Sequence, residues 1–169
     1  VCTPRRPACG ICPWMTECAG RRQGVAETLP RRGEKAERPQ RHGVAFWIVR
    51  RDGAVLLRRR AESGLLGGMM EVPSTPWRET AWTLSEAVPL APLPIADWLE
   101  LPGVVRHTFT HFHLSLTLAV GHAGRRSDVR GVWLPLDRLE EQALPTVMRK
   151  IVTHALRTGY RVPEPASST

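Results

Sequence analysis

Residues 44–57 read VAFWIVRRDGAVLL, and this stretch decides the class of fold. Two β-prone apolar runs, 44–49 and 55–57, flank Asp52 and Gly53. An Asp-Gly pair between two such runs is a strong hairpin signal, because a tight two-strand turn needs backbone angles that glycine adopts easily. The stretch therefore predicts the first two strands of a β-sheet.

The chain after this hairpin alternates short strands with glycine-rich and proline-rich connections. A glycine-rich loop occupies 64–68, and 79–88 is compatible with a short helix ahead of three prolines. Further strands are predicted within 69–72, 98–106, 113–120 and 132–134. Pro102 makes the strand within 98–106 an edge strand, because proline cannot donate to a neighbour. Apolar residues at helical spacing predict an amphipathic helix over 145–158.

Composition divides the chain into a cysteine-rich segment, 1–19, a basic linker, 20–41, a folded domain, 42–160, and a tail, 161–169, that we expect to be disordered. A chain of 169 residues with 42% apolar residues can bury one ordinary core. No apolar run is long enough to predict a membrane helix. Because the chain lacks an initiator Met and starts one residue before a cysteine, we expect it to be a fragment of a longer protein.

The positive charge is concentrated near the N-terminus. The formal charge is +8, and residues 1–60 hold 14 basic against 5 acidic side chains, whereas 61–169 hold 10 against 11. Such a block favours a polyanionic partner such as nucleic acid. A solvated linker that is basic for solubility is an equally good explanation of the charge alone.

The four cysteines are spaced C-x6-C-x2-C-x5-C at Cys2, Cys9, Cys12 and Cys18. Two disulfides, a structural zinc site and an iron–sulfur cluster are all compatible with four clustered thiols. Nothing else in the chain indicates secretion, so disulfides are the least expected. Spacing chemistry alone favours zinc somewhat over iron.

This spacing, with Pro7 before the second cysteine and Pro13 after the third, resembles the cluster loop of helix-hairpin-helix DNA glycosylases such as endonuclease III and the MutY-type adenine DNA glycosylases. The resemblance implies a 4Fe–4S cluster held by Cys2, Cys9, Cys12 and Cys18. It also implies that Arg5 and Arg6, between the first two ligands, face DNA phosphates.

Two downstream stretches resemble the C-terminal domain of bacterial adenine DNA glycosylases, a Nudix-type fold related to 8-oxo-dGTP hydrolases. Residues 57–73, LRRRAESGLLGGMMEVP, are similar to the family's RP-x-x-GLWGG segment, with Ala61 in place of Pro and Leu66 in place of an aromatic residue. Residues 106–113, RHTFTHFH, are nearly the family's RHTFSHFH loop. The expected fold is α+β: a small Cys-rich iron–sulfur loop, a linker and a Nudix-like mixed β-sheet domain with flanking helices.

The resemblance implies the C-terminal portion of an adenine DNA glycosylase of base-excision repair, a hydrolase of N-glycosyl bonds. Its partner is double-stranded DNA containing 8-oxoguanine:adenine mispairs, and we expect a monomer, cytoplasmic and nucleoid-associated, without a membrane. In that family the catalytic residues lie in helical domains upstream, so no catalytic residue is assigned and this chain alone is expected to be inactive.

The same resemblance assigns 8-oxoguanine recognition to Phe109, Thr110 and His111. 8-Oxoguanine differs from guanine in carrying an N7–H donor and a C8 carbonyl, and the Thr110 hydroxyl can accept from the first or donate to the second. The family usually has Ser at this position. The alternative is a tight turn whose hydroxyl caps its own backbone.

Two other functions stay open. A Nudix-type nucleotide pyrophosphohydrolase needs a glutamate-rich helix to hold Mg²⁺, and the stretch expected to be helical after the glycine-rich loop, 79–88, offers only Glu79 and Glu86. A zinc-bound DNA-binding module is the non-enzymatic alternative. His107, His111 and His113 suggest a metal site by number, but without neighbouring acids we expect a hairpin turn instead.

Overall fold

The computed structural model describes residues 1–3, 6–31, 33, 37–124, 129–139 and 141–158. The chain divides into two compact units, an N-terminal unit, Val1–Glu37, and a C-terminal unit, Arg38–Thr169. The segment predicted as a linker, 20–41, contributes to both units, and the predicted tail lies outside the described residues. In the part of the chain that is described, no helix is long and apolar enough to cross a membrane.

The N-terminal unit consists of turns and one short helix. A 3-10 turn, Cys9–Ile11, is followed by helix α1, Ala19–Arg22, and by a second 3-10 turn, Ala26–Thr28. Helix α1 begins directly after the last cysteine, and the Arg22 backbone N–H donates to the Cys18 carbonyl at 3.1 Å. The first part of the predicted linker is thus folded with the cysteines.

Six strands of the C-terminal unit form one sheet among the described residues. They are β1 Gln40–Arg50, β2 Val55–Arg59, β3 Met70–Glu71, β4 Trp98–Thr108, β5 His113–Ala123 and β6 Val132–Leu134. The order is β3-β2-β1-β5-β4, and β6 pairs with β2. Strands β1 and β5 are parallel over their whole length, from Gln40↔His113 to Arg50↔Ala123, whereas the other pairs are antiparallel. The expected mixed sheet in an α+β fold is confirmed.

Strand β1 is buried on both faces, so 44–49 are at most 2% exposed. A continuous apolar run of this kind is typical of a strand that is covered from both sides. On one face Trp47 packs in a cluster with Met148 and Ile151 from helix α3, Thr146–Arg157. On the other face Phe46 packs edge-on against Trp98, with ring centroids 5.3 Å apart.

The hairpin and the C-terminal helix are confirmed, but the helix expected within 79–88 is shorter. Helix α2 spans only Leu84–Ala87 and is followed by a 3-10 turn, Val88–Leu90. Thr83 starts it with a capping box, which fixes the first helical residue. The Arg78 guanidinium donates to the carbonyls of Thr80 and Ala81, and these bonds hold the preceding residues outside the helix.

Strand β4 accommodates its proline as expected. It lies at the edge of the sheet, so the backbone N–H that Pro102 lacks is not needed for pairing with an outer strand. Its pairing with β5 is irregular between Leu101 and Val105. The helix α3 side chain of Lys150 donates to the Arg106 carbonyl at 2.9 Å and so binds part of this edge.

We predict that Gly53→Ala lowers the free energy of unfolding by about 1 kcal/mol. Gly53 has a φ of 82°, in the left-handed region, and a Cβ there would meet no atom within 4 Å, so backbone strain is the whole effect. Urea denaturation followed by circular dichroism measures it. Gly53→Asn is the matched control and should lose less, because Asn tolerates this region; equal losses for both variants would contradict the explanation.

Candidate functional site

The four cysteines line one small cavity in the N-terminal unit. Its volume is about 90 Å³, and its other lining residues, which include Met15 and Leu29, are largely apolar. None of the cysteines is in a disulfide; Cys2 is exposed and the others are partly buried. Two turns bend the chain around the cavity, with backbone N–H groups of Cys12 and Met15 donating to the carbonyls of Cys9 and Cys12.

The donor set of this cavity fits a group ligated by sulfur. Four thiols share one apolar enclosure, and thiolates are the ligands of iron–sulfur clusters and of four-cysteine zinc sites. As the side chains stand, no three His, Cys, Asp or Glu residues of the described chain converge on a single metal position. The residue types therefore fit a cluster, and the positions of the sulfurs do not distinguish a cluster from zinc.

The basic residues of this segment are only partly described. Arg6 is exposed, and its carbonyl accepts a 2.7 Å hydrogen bond from the Thr3 hydroxyl. Arg5 lies outside the described residues. The expected phosphate contacts of Arg5 and Arg6 stay predictions.

The second predicted site is the loop that joins β4 to β5, residues 109–112, called the β4–β5 loop below. The Phe109 N–H donates to the Phe112 carbonyl at 2.9 Å, and below it the Thr108 hydroxyl and His113 Nδ1 are 2.9 Å apart. Thr110 and His111 are exposed at the tip. The Thr110 side chain makes no hydrogen bond to the described residues, so the structure offers no support for a hydroxyl that caps its own turn.

Phe109 holds this loop to the domain. Its half-buried ring stacks on Trp77, with centroids 5.7 Å apart and planes 28° apart, and lies 4.8 Å from Phe112. Gly43 of β1 makes room for Trp77, since a Cβ there would lie 2.8 Å from Trp77 Cδ1. The sequence alone gives Trp77 no role, because its contact with Phe109 is not visible from their separation in the chain.

The three histidines have separate environments, and the predicted hairpin is confirmed by the β4–β5 pairing. His113 pairs with Thr108, His111 is exposed, and His107 lies edge-on against Phe109 at 4.6 Å. His107 Nδ1 is buried without a hydrogen-bond partner. Burial lowers the pKa of His107 below its ordinary value, and the positive charge of Lys150 lowers it further.

A buried carboxylate next to the glycine-rich loop is a feature that the sequence analysis missed. Glu71 on β3 is 2% exposed; its Oε1 accepts from Arg58 Nε at 2.7 Å, and its Oε2 accepts from Arg60. Arg60 Nε also donates to the Leu65 carbonyl at 3.1 Å. Glu71 thus joins β2, β3 and the glycine-rich loop through two guanidinium groups.

The helix that follows this loop offers one carboxylate, which is already engaged. Glu86 of α2 accepts from the Thr83 backbone N–H at 3.0 Å and from Arg78 at 2.8 Å. These contacts, with the Thr83 backbone bond first, lower the pKa of Glu86. A Nudix hydrolase needs several carboxylates here to hold Mg²⁺, so nucleotide hydrolysis is not favoured.

We predict that protonation of His107 destabilises the C-terminal unit. Because the folded-state pKa lies below the ordinary value of 6.5, the unfolded chain binds more protons, and stability falls as the pH drops below about 6.5. Urea midpoints from pH 8 to pH 5.5 measure this, and His107→Gln should flatten the profile. His111→Gln, at the exposed tip, is the control; a profile unchanged by His107→Gln would exclude His107 as the cause.

Two family profiles match the chain. Residues 44–154 match the NUDIX domain, and residues 2–18 match the iron–sulfur binding domain of endonuclease III. The first match covers more than half of the chain, and the second ends on the fourth cysteine of the cavity. This second match confirms the expected iron–sulfur motif.

Two curated relatives are similar across both units. The adenine DNA glycosylase of Homo sapiens is 27% identical to this chain in an alignment 206 residues long. The alignment covers 89% of this chain and 38% of the relative. That of Mus musculus is 28% identical over 203 residues, with 89% and 39% covered. The chain therefore spans about two fifths of the length of these relatives.

Solved structures agree on the fold of the C-terminal unit. The C-terminal domain of mouse MUTYH, solved in complex with human PCNA, has a TM-score of 0.53 at 21% identity and covers 69% of this chain and 88% of its own. The MutT protein from Methanosarcina mazei Go1 has a TM-score of 0.60 at 21% identity and covers 75% and 100%.

At these identities the solved structures establish the fold, whereas the profile match establishes the family. The resemblance to the C-terminal part of adenine DNA glycosylases, stated from the cysteines and the two motifs, is confirmed by relatives that align with both units. The chain belongs to the NUDIX domain family and is similar to adenine DNA glycosylases.

Proposed function

We propose that this chain is the DNA-binding, 8-oxoguanine-recognising portion of an adenine DNA glycosylase of base-excision repair. One observation carries the proposal: the same chain contains a four-cysteine loop and a NUDIX domain. The stretch of that domain where a hydrolase would have a glutamate-rich helix lacks the cluster of carboxylates that holds Mg²⁺. A NUDIX fold without those carboxylates is suited to recognition rather than hydrolysis. The similarity to adenine DNA glycosylases over 89% of the chain supports the same function.

Cleavage of the N-glycosidic bond is assigned to residues outside this chain. That chemistry needs a flipped adenine, an acid that protonates the leaving base and a carboxylate near the developing oxocarbenium ion. In the proposed enzyme this chain holds the opposite strand while the catalytic domain acts on adenine. Such a protein works as a monomer on double-stranded DNA that carries 8-oxoguanine:adenine mispairs, in the cytoplasm with the nucleoid.

In this proposal the N-terminal unit contacts the phosphates of the DNA backbone. Cys2, Cys9, Cys12 and Cys18 would hold a 4Fe–4S cluster. When bound, the cluster supplies structural order to a loop that has little core of its own. Arg6, and Arg5 beside it, then meet phosphate oxygens as charged hydrogen-bond donors. This contact positions the protein and carries no sequence information.

The β4–β5 loop contributes the recognition of the damaged base. The Thr110 hydroxyl is exposed and makes no hydrogen bond to the described residues, so it can accept from the N7–H of 8-oxoguanine, a donor that guanine lacks. Phe109 anchors the loop on Trp77 and lies beside the tip. His111, also exposed, is placed to contact phosphate or to steady the loop.

We predict about four irons per chain in protein purified without oxygen, as four thiolates on one cube require. Iron and zinc analysis with the absorption spectrum measures this. Any single Cys→Ser change should lower the iron content and loosen 1–37, while the sheet signal of the C-terminal unit stays as in the wild type. One zinc and no iron would favour the zinc-bound DNA-binding module instead.

We predict that Thr110→Ala weakens binding to an 8-oxoguanine:adenine duplex by about 1 kcal/mol, the scale of one hydrogen bond. Binding to a guanine:adenine duplex should stay nearly unchanged, because guanine offers the hydroxyl no N7–H. Fluorescence anisotropy with both duplexes measures the difference. Thr110→Ser is the matched control and should keep the preference. Equal losses on both duplexes would exclude Thr110 as the reader of the base.

A further inference from the structure

A basic groove lies next to the β4–β5 loop in the C-terminal unit. Its volume is about 720 Å³, and its lining includes Arg41, Arg58, Arg59, Arg60, Glu71 and Trp77. We call it the arginine groove. Glu71 is the single carboxylate among the described residues that line it, so positive charge is in excess.

Two of the four arginines serve the fold. Arg58 and Arg60 share the buried carboxylate of Glu71, and their side chains are only 38% and 25% exposed. Arg58 also donates to the Ser74 carbonyl at 3.3 Å. A buried acid that bridges two guanidinium groups neutralises much of their charge, so these two arginines form the floor of the groove and are not its free cations.

The other two arginines remain available to a ligand. Arg41 has no carboxylate partner among the described residues; its guanidinium lies 4.6 Å from the centroid of the Phe112 ring. Arg59 is 68% exposed; its Nε donates to the Gly68 carbonyl at 2.9 Å, and its terminal nitrogen pairs at 3.3 Å with Glu62, which is also exposed. An exposed pair of this kind contributes little stability and yields easily to a stronger anion.

Two residues that line the arginine groove also contact the β4–β5 loop. Trp77 lines the groove and stacks on Phe109, and Arg41 lines the groove and lies over Phe112. A strand whose base meets Thr110 would therefore bring its neighbouring phosphates to the groove. These two contacts make the groove and the loop neighbours on the surface of the C-terminal unit.

We infer that the arginine groove binds the phosphodiester backbone of the DNA strand that carries the base contacted by Thr110. This rests on the proposed function, and it adds a second backbone contact, made by Arg41 and Arg59, to the one expected from the N-terminal unit. Guanidinium groups match phosphate oxygens as paired donors. Several consecutive phosphates beside the base would also explain why the arginines line an open groove rather than an enclosed pocket.

The test is the salt dependence of duplex binding by the double variant Arg41→Gln/Arg59→Gln. Each phosphate contact contributes about 0.9 to the slope of log affinity against log salt. Losing two contacts should therefore reduce the slope by about 2. Contacts with the backbone do not depend on the base. The loss of affinity should therefore be equal for 8-oxoguanine:adenine and guanine:adenine duplexes, unlike the loss of affinity in Thr110→Ala.

The matched control is Arg51→Gln/Arg138→Gln, which removes the same charge from exposed positions that do not line the groove. Arg51 follows the end of β1 opposite to Arg41, and Arg138 pairs with Glu141. The control should keep a slope close to that of the wild type. Urea midpoints check folding, and if Arg41→Gln disturbs Phe112, Arg59→Gln alone should still reduce the slope by about 1.

Three results would overturn the inference. If the groove variant and the control have the same slope while the preference for 8-oxoguanine persists, the groove does not bind the backbone although the proposed function stands. If the wild type binds no duplex, the inference and the proposed function fail together. If 8-oxo-dGMP or dGMP stabilises the wild type but not the groove variant, and duplex binding is equal in both, the groove binds a free nucleotide instead.

Discussion

The parallel pairing of β1 with β5 is the constraint on which the rest of the C-terminal unit depends. Eleven residues of each strand pair in one register, and β1 is buried on both faces along 44–49. A shift by one residue would exchange the side chains of the two faces, so the packing of Trp47 on one face and of Phe46 on the other fixes the register. The pairing starts at Gln40 and His113, with the Pro39 carbonyl accepting from the His113 N–H at 2.9 Å.

That starting point decides where the surface that we propose for DNA recognition lies. The β4–β5 loop ends directly before β5, so the register places Arg41 opposite Leu114 and beside Phe112, although Arg41 is distant in the chain. Gly43, next along β1, leaves space for Trp77, and Trp77 holds Phe109. The exposed hydroxyl of Thr110 and Arg41 of the groove therefore lie next to the start of the long β1–β5 pair.

Two of the acids near this surface are engaged in structural contacts. Glu71 bridges Arg58 and Arg60, and Glu86 caps α2. Among the described residues, the groove and the loop therefore present arginines and a hydroxyl rather than a cluster of carboxylates. Such a surface suits the proposed contact with an anionic strand, since a cluster of acids would repel phosphate.

The sequence by itself determined the elements whose signals are local. The Asp52-Gly53 turn, the alternation in β5, the helical spacing of α3 and the four-cysteine spacing all depend on near neighbours, and the motifs of the two units carried the family resemblance. Only the tertiary structure decided the rest, because it depends on contacts between distant residues. The stack of Trp77 on Phe109, the burial of Glu71 between two arginines and the place of Arg41 beside the loop follow from strand order. Helix α2 begins only after Thr83 because Arg78 donates to the carbonyls of Thr80 and Ala81. In a longer helix these carbonyls would accept backbone hydrogen bonds.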